Sequence, residues 1–273
     1  MARKVKRRRP GKLDTAGKHA IFYARTVAAM PRVIVHYRNE MVRLIAEISM
    51  GSGALAMIGG TVVIVGFLTL FTGGTIAVQG YSSLGNIGVE ALTGFFAAFI
   101  NVRIAAPVIS GIGLAATIGA GSTAQLGAMR VSEEIDALES MAIRAVPYLV
   151  TTRVLAGMIA IVPLYALAVI ASFIASRFAT VSIYGQSAGV YDHYFSTFLI
   201  PTDILWSFAQ AILMALAVMA IHTYYGYHAE GGPVGVGVAV GRAVRSSLVA
   251  VVTITLLVSL AIYGHSGNFH LSG

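Results

Sequence analysis

Acidic side chains are concentrated in one short stretch of this 273-residue chain, residues 130–144, which we call the island. It holds four of the eleven acidic residues: Glu133, Glu134, Asp136 and Glu139. Carboxylates this close together can act as a general acid and base, but that chemistry needs a dry cleft, which nothing in the neighbouring sequence predicts. The composition fits either a solvated loop that caps two helices or a docking surface for another protein.

The island has the periodicity of a short helix, which we expect near residues 130–142. Spacings of three and four residues would give it two neighbouring faces. The apolar face comprises Val131, Ile135, Leu138 and Ala142, and the acidic face comprises Ser132, Asp136 and Glu139. Such a helix can pack on its own protein by one face and offer the other to a partner.

Other catalytic chemistry finds little support in the sequence. Without cysteine there is no disulfide, thiolate metal ligand or cysteine nucleophile. No GxxxxGK[ST] run is present, so the chain has no P-loop of its own for nucleotide phosphates. The glycine-rich run at residues 235–241 has the wrong spacing for a dinucleotide loop, and we interpret it as a tight, mobile connection. The histidines lack metal-ligand spacing, and we expect them to be solvated or interfacial: His19, His36, His193, His222, His228, His265 and His270.

These residues are carried by a chain with the composition of a membrane protein. Hydrophobic residues make up 57% and charged residues 11%, against about a quarter charged in an average soluble domain. Residues 48–89 contain no Asp, Glu, Lys or Arg, and four more charge-free runs follow. About 20 apolar residues cross a hydrocarbon core of about 30 Å, and continuous apolar runs favour helices over barrel strands. We therefore expect an all-α membrane protein with five transmembrane helices.

The expected spans are residues 50–79, 95–125, 147–176, 202–225 and 244–263. The first two exceed the minimum length, so that tilt or a re-entrant part would absorb the excess. Arg103 lies inside the second. A charge within the hydrocarbon is costly, which favours a functional role, but near a span end it can also reach the headgroups as an anchor. Both readings remain open for Arg103.

The distribution of basic residues predicts the orientation. Twelve of the nineteen Lys and Arg residues precede the first span, which places the N-terminus in the cytoplasm of a multi-pass inner (plasma) membrane protein. Five spans then put the island in the cytoplasm and the C-terminus outside. The loop before the fourth span, expected to be external, carries Asp192 and Asp203 against Arg177.

Three regions follow from these patterns. We expect residues 1–18 to be a basic, disordered cytoplasmic tail that meets anionic lipid headgroups rather than nucleic acid. Residues 19–48 should form interfacial helices divided at Pro31. The second of them should bury an apolar stripe: Ile34, Tyr37, Met41, Leu44 and Ile48. Residues 49–273 form the five-span domain.

A family resemblance appears at residues 119–139, which read GAGSTAQLGAMRVSEEIDALE. This run resembles the MlaE/YrbE permease family, whose signature is a small-residue span end followed by LGxMxVTExIDALE. Further resemblance lies in FTGG from Phe71 towards Gln79, in Pro107, and in the glycine-rich run that begins at Gly226. The match covers nearly everything after Glu40.

The resemblance implies the membrane half of an ABC-type lipid transporter, with an MlaE-like permease fold. Its partners would be a second permease subunit, a cytoplasmic ATPase dimer and external Mce proteins, with no nucleic acid. The chain itself would be no enzyme and hold no cofactor, because ATP and Mg²⁺ would bind the ATPase. The resemblance assigns the island to the family's ATPase-coupling helix through Arg130, Ser132, Glu133, Glu134, Asp136 and Glu139.

The chain departs from the family at several intramembrane charges. The family commonly has an Arg near Thr117, a Glu in place of Gln125 and an Asp in the last span, which is missing from residues 253–257. We regard Arg103, Thr117 and Gln125 as possible intramembrane functional positions. A partner could retain the lost charges, which favours a heterodimer with a YrbE paralogue, as in actinobacterial Mce systems, with this chain as the B-type subunit.

The leading hypothesis is a permease subunit that moves a fatty acid, phospholipid or sterol between the inner membrane and an external Mce assembly, by analogy as an importer. One alternative is an ion-driven secondary transporter, which should show carboxylates at mid-membrane and inverted repeats. The sequence shows neither. The other alternative is a membrane scaffold that only holds an external assembly.

Overall fold

The structure, a computed structural model, describes residues 12–50 and 54–263, and of their side chains residues 17, 19–44 and 60–262. Two N-terminal helices, α1 (Lys12–His36) and α2 (Arg38–Met50), precede the long helices. The first span lies in the helix Ala54–Gly85, and the others are Glu90–Val131, Val146–Ile183, Pro201–Tyr227 and Gly232–Tyr263. Two short helices, Glu134–Ser140 and Ala188–Phe198, lie between spans. The predicted all-α, five-span architecture is confirmed.

Successive spans run antiparallel, so the bundle has two ends. One end, which we call the island end, contains the island, α1 and the turn between the fourth and fifth spans. The far end carries the turn after Gly85 and the helix Ala188–Phe198. The second and third spans have 42 and 38 residues, or about 63 and 57 Å of helix. Both exceed a hydrocarbon core of about 30 Å and extend beyond it.

The fifth helix begins earlier than expected. It starts at Gly232 rather than near residue 244, and it therefore contains the glycine-rich run that we interpreted as a mobile connection. That interpretation was wrong. A chain entering a bilayer must satisfy its own backbone hydrogen bonds, and glycine is well tolerated in transmembrane helices for this reason.

The N-terminal helices also differ from expectation. Helix α1 begins at Lys12, inside the stretch expected to be a disordered tail, and residues 1–11 lie outside the described residues. It runs through Pro31 and breaks at Tyr37. A continuous buried stripe on α1 keeps its two halves aligned against the spans: Phe22, Thr26, Ala29 and Val33.

The break at Tyr37 also divides the apolar stripe predicted for the interfacial helix. Leu44 is buried, but Ile34 is 51% exposed, and the side chain of Ile48 lies outside the described residues. Tyr37 itself packs edge-on to Tyr148 at the start of the third span, with ring centroids 5.6 Å apart. Tertiary contacts, rather than the proline, decide where the helix ends.

Helix α1 is attached to the island end through aromatic rings and one hydrogen bond. The Phe22 ring lies 5.2 Å from that of Tyr224 and 5.9 Å from that of Tyr227. The Thr151 hydroxyl donates to the Thr26 carbonyl at 3.3 Å. Burial, reinforced by two neighbouring tyrosines, raises the pKa of Tyr23 to about 12.

His222 joins three spans in the interior. It is fully buried in the fourth span; its Nδ1 lies 2.8 Å from the Thr123 hydroxyl of the second and its Nε2 3.2 Å from the Ser247 hydroxyl of the fifth. The expectation that the histidines are solvated or interfacial was wrong for this one. Gly119 makes room for the ring, since a Cβ there would lie 2.7 Å from His222 Cδ2. Small residues thus bring helices into hydrogen-bonding range.

We predict that Gly119→Ala destabilises the protein by about 1–3 kcal/mol, because the added methyl group overpacks a buried joint. The measurement is the thermal unfolding midpoint of the detergent-purified chain. The matched control is Gly241→Ala in the fifth span, where an added Cβ meets no atom within 4 Å. There the higher helix propensity of alanine should leave the midpoint unchanged or raise it. Equal midpoints for the two variants would contradict the packing assigned to His222.

Candidate coupling site

The island consists of a short helix set between two left-handed residues. The helix Glu134–Ser140 follows Glu133, at φ 62°, and Ala142 has φ 61°. This conformation is uncommon for residues other than glycine and costs about 1–2 kcal/mol per residue. Ile135 offsets part of that cost, because it is fully buried and packs in one cluster with Leu126, Ala145 and Leu149. The island helix is thereby fixed to the ends of the second and third spans.

Three of the four island acids have partners within the protein. Asp136 Oδ1 lies 2.7 Å from Arg130 Nη1. The Ser132 hydroxyl donates to Glu134 Oε1 at 2.7 Å, and the Tyr227 hydroxyl donates to Glu139 Oε1 at 3.0 Å. Glu133 is exposed and forms no ion pair within the described residues. The acids therefore hold the loop in shape, and Glu133 is the carboxylate available to a partner.

The apolar face predicted for the island is wrong in part. Ile135 is buried and Leu138 is partly buried, but Val131 and Ala142 are exposed. The prediction assumed one helix over residues 130–142, whereas the left-handed residues limit the helix to seven residues. The 3.6-residue period does not continue across them. The exposed surface of the island instead includes Met141, at 62% exposure.

A cavity of about 680 Å³ lies beside the island helix. Its walls come from α2, the island and the adjoining ends of the second and third spans. Gln125, one of the three possible intramembrane functional positions, is exposed and lines it. Glu134 and Met141 of the island also line it. The structure thus brings Gln125 together with the island.

Arg153, also in this cavity, is a functional candidate that the sequence analysis missed. It lies in the third span and is 9% exposed, and its Nη1 donates to the Leu149 carbonyl at 2.9 Å. Its Nη2 lies 3.9 Å from Met129 Sδ. The signal was available, since Arg153 falls inside the expected span 147–176 just as Arg103 falls inside the second. A charge within a span is costly wherever it lies, so the reasoning that selects Arg103 selects Arg153 equally.

Arg103 lies at the other end of the second span and is paired with an acid. Its Nε and Nη2 lie 2.9 and 2.5 Å from Asp203 Oδ2 at the start of the fourth span, and both side chains are about one-sixth exposed (17% and 16%). The guanidinium also lies 4.0 Å from the centroid of the Phe99 ring. Arg103 is therefore not an isolated headgroup anchor, and its charge is compensated by Asp203 within the protein. It connects two spans at the far end.

The backbone around Arg103 is π-helical over Asn101–Ala105. A π-turn holds one more residue than an α-turn and often occurs at functional sites. The Val102 carbonyl in this segment accepts a hydrogen bond of 2.5 Å from the Ser207 hydroxyl of the fourth span. The irregular turn and the ion pair therefore connect the same two helices.

Thr117 contacts neither the Arg103–Asp203 pair nor the cavity beside the island. It lies in a second π-helical segment, Ala115–Gly119, and its hydroxyl donates to the Gly113 carbonyl of its own helix at 2.7 Å. Its polar group is satisfied without a partner from another span. The structure thus places the selected positions in three locations: Arg103 at the far end, Thr117 in the interior and Gln125 at the island.

The island has the geometry of a contact surface rather than of a reaction centre. Its four carboxylates are exposed, whereas acid and base catalysts need a dry, enclosed site. Among the described residues, no group of three His, Asp or Glu side chains is arranged to hold a metal ion. The island is a fixed, partly charged surface at one end of the bundle.

Known proteins resemble this chain over most of its length. Residues 50–261 match the model of a family described as Permease MlaE. A probable ABC transporter permease protein of Rickettsia felis is 26% identical over 249 residues, which cover 90% of this chain and 95% of that protein. A probable ABC transporter permease protein of Synechocystis is 24% identical, covering 66% and 69%. The Arabidopsis thaliana protein named trigalactosyldiacylglycerol 1, chloroplastic is 27% identical over 182 residues, covering 67% and 52%.

We predict that Asp203→Asn and Arg103→Gln each lower the free energy of unfolding by about 2 kcal/mol, because either change removes a charged hydrogen-bond partner from a largely buried pair. The double variant should be less destabilised than the sum of the two, with a coupling energy of roughly 1 kcal/mol or more. Thermal or denaturant unfolding of the purified chain in detergent measures both quantities.

The matched control for this cycle is the pair Arg177 and Asp192 at the same end, whose closest atoms lie 2.9 Å apart with both side chains 51% exposed. Solvent screening should make its coupling much smaller. Equal coupling in the two pairs would show that burial of the Arg103 pair contributes nothing.

Proposed function

Because the chain belongs to the MlaE permease family, we propose that it is the membrane subunit of an ATP-driven lipid transporter and that the island receives the movement of a separate ATPase. In this proposal ATP and Mg²⁺ bind that ATPase, while this chain performs no hydrolysis. The island end faces the cytoplasm, in agreement with the basic N-terminal region. The lipid passes to or from Mce proteins on the other side of the inner membrane.

The main support for the proposal is that the island is directly connected to the second span. That span is continuous in helical structure from Glu90 to Val131, and the island begins in its last turn, at Arg130. Buried Ile135 holds the island in a fixed position, and the solvent-exposed Arg130–Asp136 pair adds only a small contribution. A displacement of the island is therefore passed to a helix that reaches the Arg103–Asp203 pair at the opposite end.

The first and fifth spans are the best candidates to line the lipid path. Only 28% and 11% of their apolar windows are buried, against 44–56% in the other spans. Large apolar side chains are exposed along them, including Phe67 and Phe71 in the first and Val249 and Val252 in the fifth. We place a second permease subunit against these spans and the lipid between the two subunits.

A YrbE-type paralogue fits the second position better than another copy of this chain. Thr117 donates within its own helix, and Thr253 and Thr255 of the fifth span do the same, at 2.8 Å each. Threonine is neutral, and these three hydroxyls are satisfied within their own helices, so this chain supplies no charge where the family has one. In this proposal a paralogue that keeps those charges supplies them. If the protein were only a scaffold for an external assembly, no movement would have to pass through the island. The Glu133→Lys variant distinguishes that hypothesis from ATP-driven transport.

We predict that Glu133→Lys reduces ATP-driven lipid transfer roughly tenfold or more, because a reversed charge at a docked surface costs several kcal/mol. Glu133 is chosen because Glu134 and Asp136 also brace the island itself. The measurements are lipid transfer and ATPase co-purification with the complex reconstituted in proteoliposomes, together with the unfolding midpoint of the variant, which should not change.

The control is Glu90→Lys, an equal change of charge at an exposed side chain of the far end. It should retain transfer and ATPase binding. If Glu133→Lys keeps both activities, the island is not the docking surface. If ATPase binding is lost while lipid transfer continues, transport does not depend on the motor.

We also predict that the complex purified through a tag on this chain contains a second, different permease chain in equal amount. Intact-complex mass spectrometry measures the subunit masses directly. Two copies of this chain and no paralogue would overturn the heterodimer proposal, while leaving the role of the island untouched.

A further inference from the structure

A second cavity at the island end, separate from the one that Gln125 lines, has a strongly basic lining. It measures about 640 Å³ and lies between α1 and the loop that joins the island to the third span. Arg25 and Arg32 approach it from α1, and Arg144 lies on the opposite wall. Arg25 and Arg32 are seven residues apart, two helical turns, and so share one face of α1. Three arginine residues thus line the cavity from two separate parts of the chain.

The charge of this cavity is not neutralised from within. Among the described residues, Arg25, Arg32 and Arg144 form no ion pair. Glu139 is the acidic residue of the lining, and it already accepts the Tyr227 hydroxyl at 3.0 Å. The remainder of the lining is apolar: Ala28, Ala29, Ala142, Ile143, Ala145, Val146 and Pro147. Three cations against one carboxylate leave an excess of positive charge.

The first turn of the third span adds to this electrostatic preference. Ala145 and Val146 line the cavity, and the first carbonyl to accept a bond there is that of Arg144, from the Tyr148 N–H at 3.2 Å. Pro147 has no N–H, so the N–H groups without an intrahelical partner in this turn are those of Ala145 and Val146, and the helix dipole favours an anion beside them. Arginine suits phosphate in particular, because its planar fork donates two parallel hydrogen bonds.

We propose that this cavity binds the phosphate of an anionic phospholipid headgroup from the leaflet at the island end. Helix α1 also has exposed apolar side chains beside these arginines: Ile21, four residues before Arg25, is 55% exposed, and Val35, three residues after Arg32, is 68% exposed. A helix with basic and apolar exposed residues lies at the headgroup level of a bilayer. A lipid there would have its phosphate among the arginines and its acyl chains along α1.

Such a lipid would connect α1 to the island, because its phosphate would contact Arg25 and Arg32 on one side and Arg144 on the other. It would be a resident lipid rather than the transported one, and the site goes beyond the proposed transport function. Binding can therefore be measured without ATP, an ATPase or transport. A failure here would leave the transport proposal intact.

The test uses the full-length chain purified in an uncharged detergent and measures the rise of its unfolding midpoint during titration with short-chain phosphatidylglycerol. Titrations with short-chain phosphatidylcholine and with inorganic phosphate are run in parallel. We expect a saturable rise with phosphatidylglycerol only. The variant R25Q/R32Q should weaken the apparent affinity roughly thirtyfold, given the usual contribution of each basic residue near an anionic lipid.

The matched control is R242Q/R245Q, which removes two exposed arginines at the same end but outside this cavity. It should leave the affinity unchanged. If R25Q/R32Q does not fold, Arg144→Gln tests the opposite wall alone, and Arg144→Lys should restore only part of the affinity because lysine keeps the charge but lacks the fork.

Three results would overturn the proposal. A saturable rise with inorganic phosphate alone would assign the site to a free phosphate rather than a lipid. Equal weakening in both double-arginine variants would reduce the effect to overall charge. No preference for phosphatidylglycerol over phosphatidylcholine would exclude an anionic headgroup site, and loss of ATPase co-purification in R25Q/R32Q beside it would identify the cavity as part of a protein contact.

Discussion

A polar group inside a bilayer has only the protein to bond with, and this constraint accounts for most of the interior of the molecule. Buried threonines donate to carbonyls of their own helix, as Thr69 does to Val65 at 2.6 Å and Thr223 to Met219 at 2.7 Å. Other polar side chains connect helices instead. His222 does this in the interior, and Arg103 does it near one end.

The same constraint explains which features could be predicted from the sequence. The five spans follow from composition, because a charge-free run of sufficient length has few other stable environments. The island could be located from its acids alone. Its internal pairing could not be predicted, because Arg130 and Asp136 are six residues apart and meet only through the left-handed turn at Glu133. Backbone turns of this kind are set by the packing of Ile135, which depends on the third span.

Local signals were least informative where tertiary contacts oppose them. Pro31 predicted the end of a helix, yet α1 continues because residues on both sides of the proline bury the same face. The glycines of residues 235–241 predicted a loop, yet they lie within the fifth helix. His222 has no sequence signature of burial. Only the small residues of the second span, including Gly119, indicated that another helix comes close there.

The two left-handed residues of the island have a consequence for its stiffness. The chain contains thirty glycines, but Glu133 and Ala142 occupy the positions where glycine would adopt the backbone conformation most easily. A glycine there would also open many other conformations and would act as a hinge. Side chains at both positions exclude those alternative conformations. Bending the backbone at Glu133 or Ala142 therefore gains little conformational entropy, and the island keeps its shape when a force is applied to it. The island is therefore a rigid protrusion at the end of the long second span.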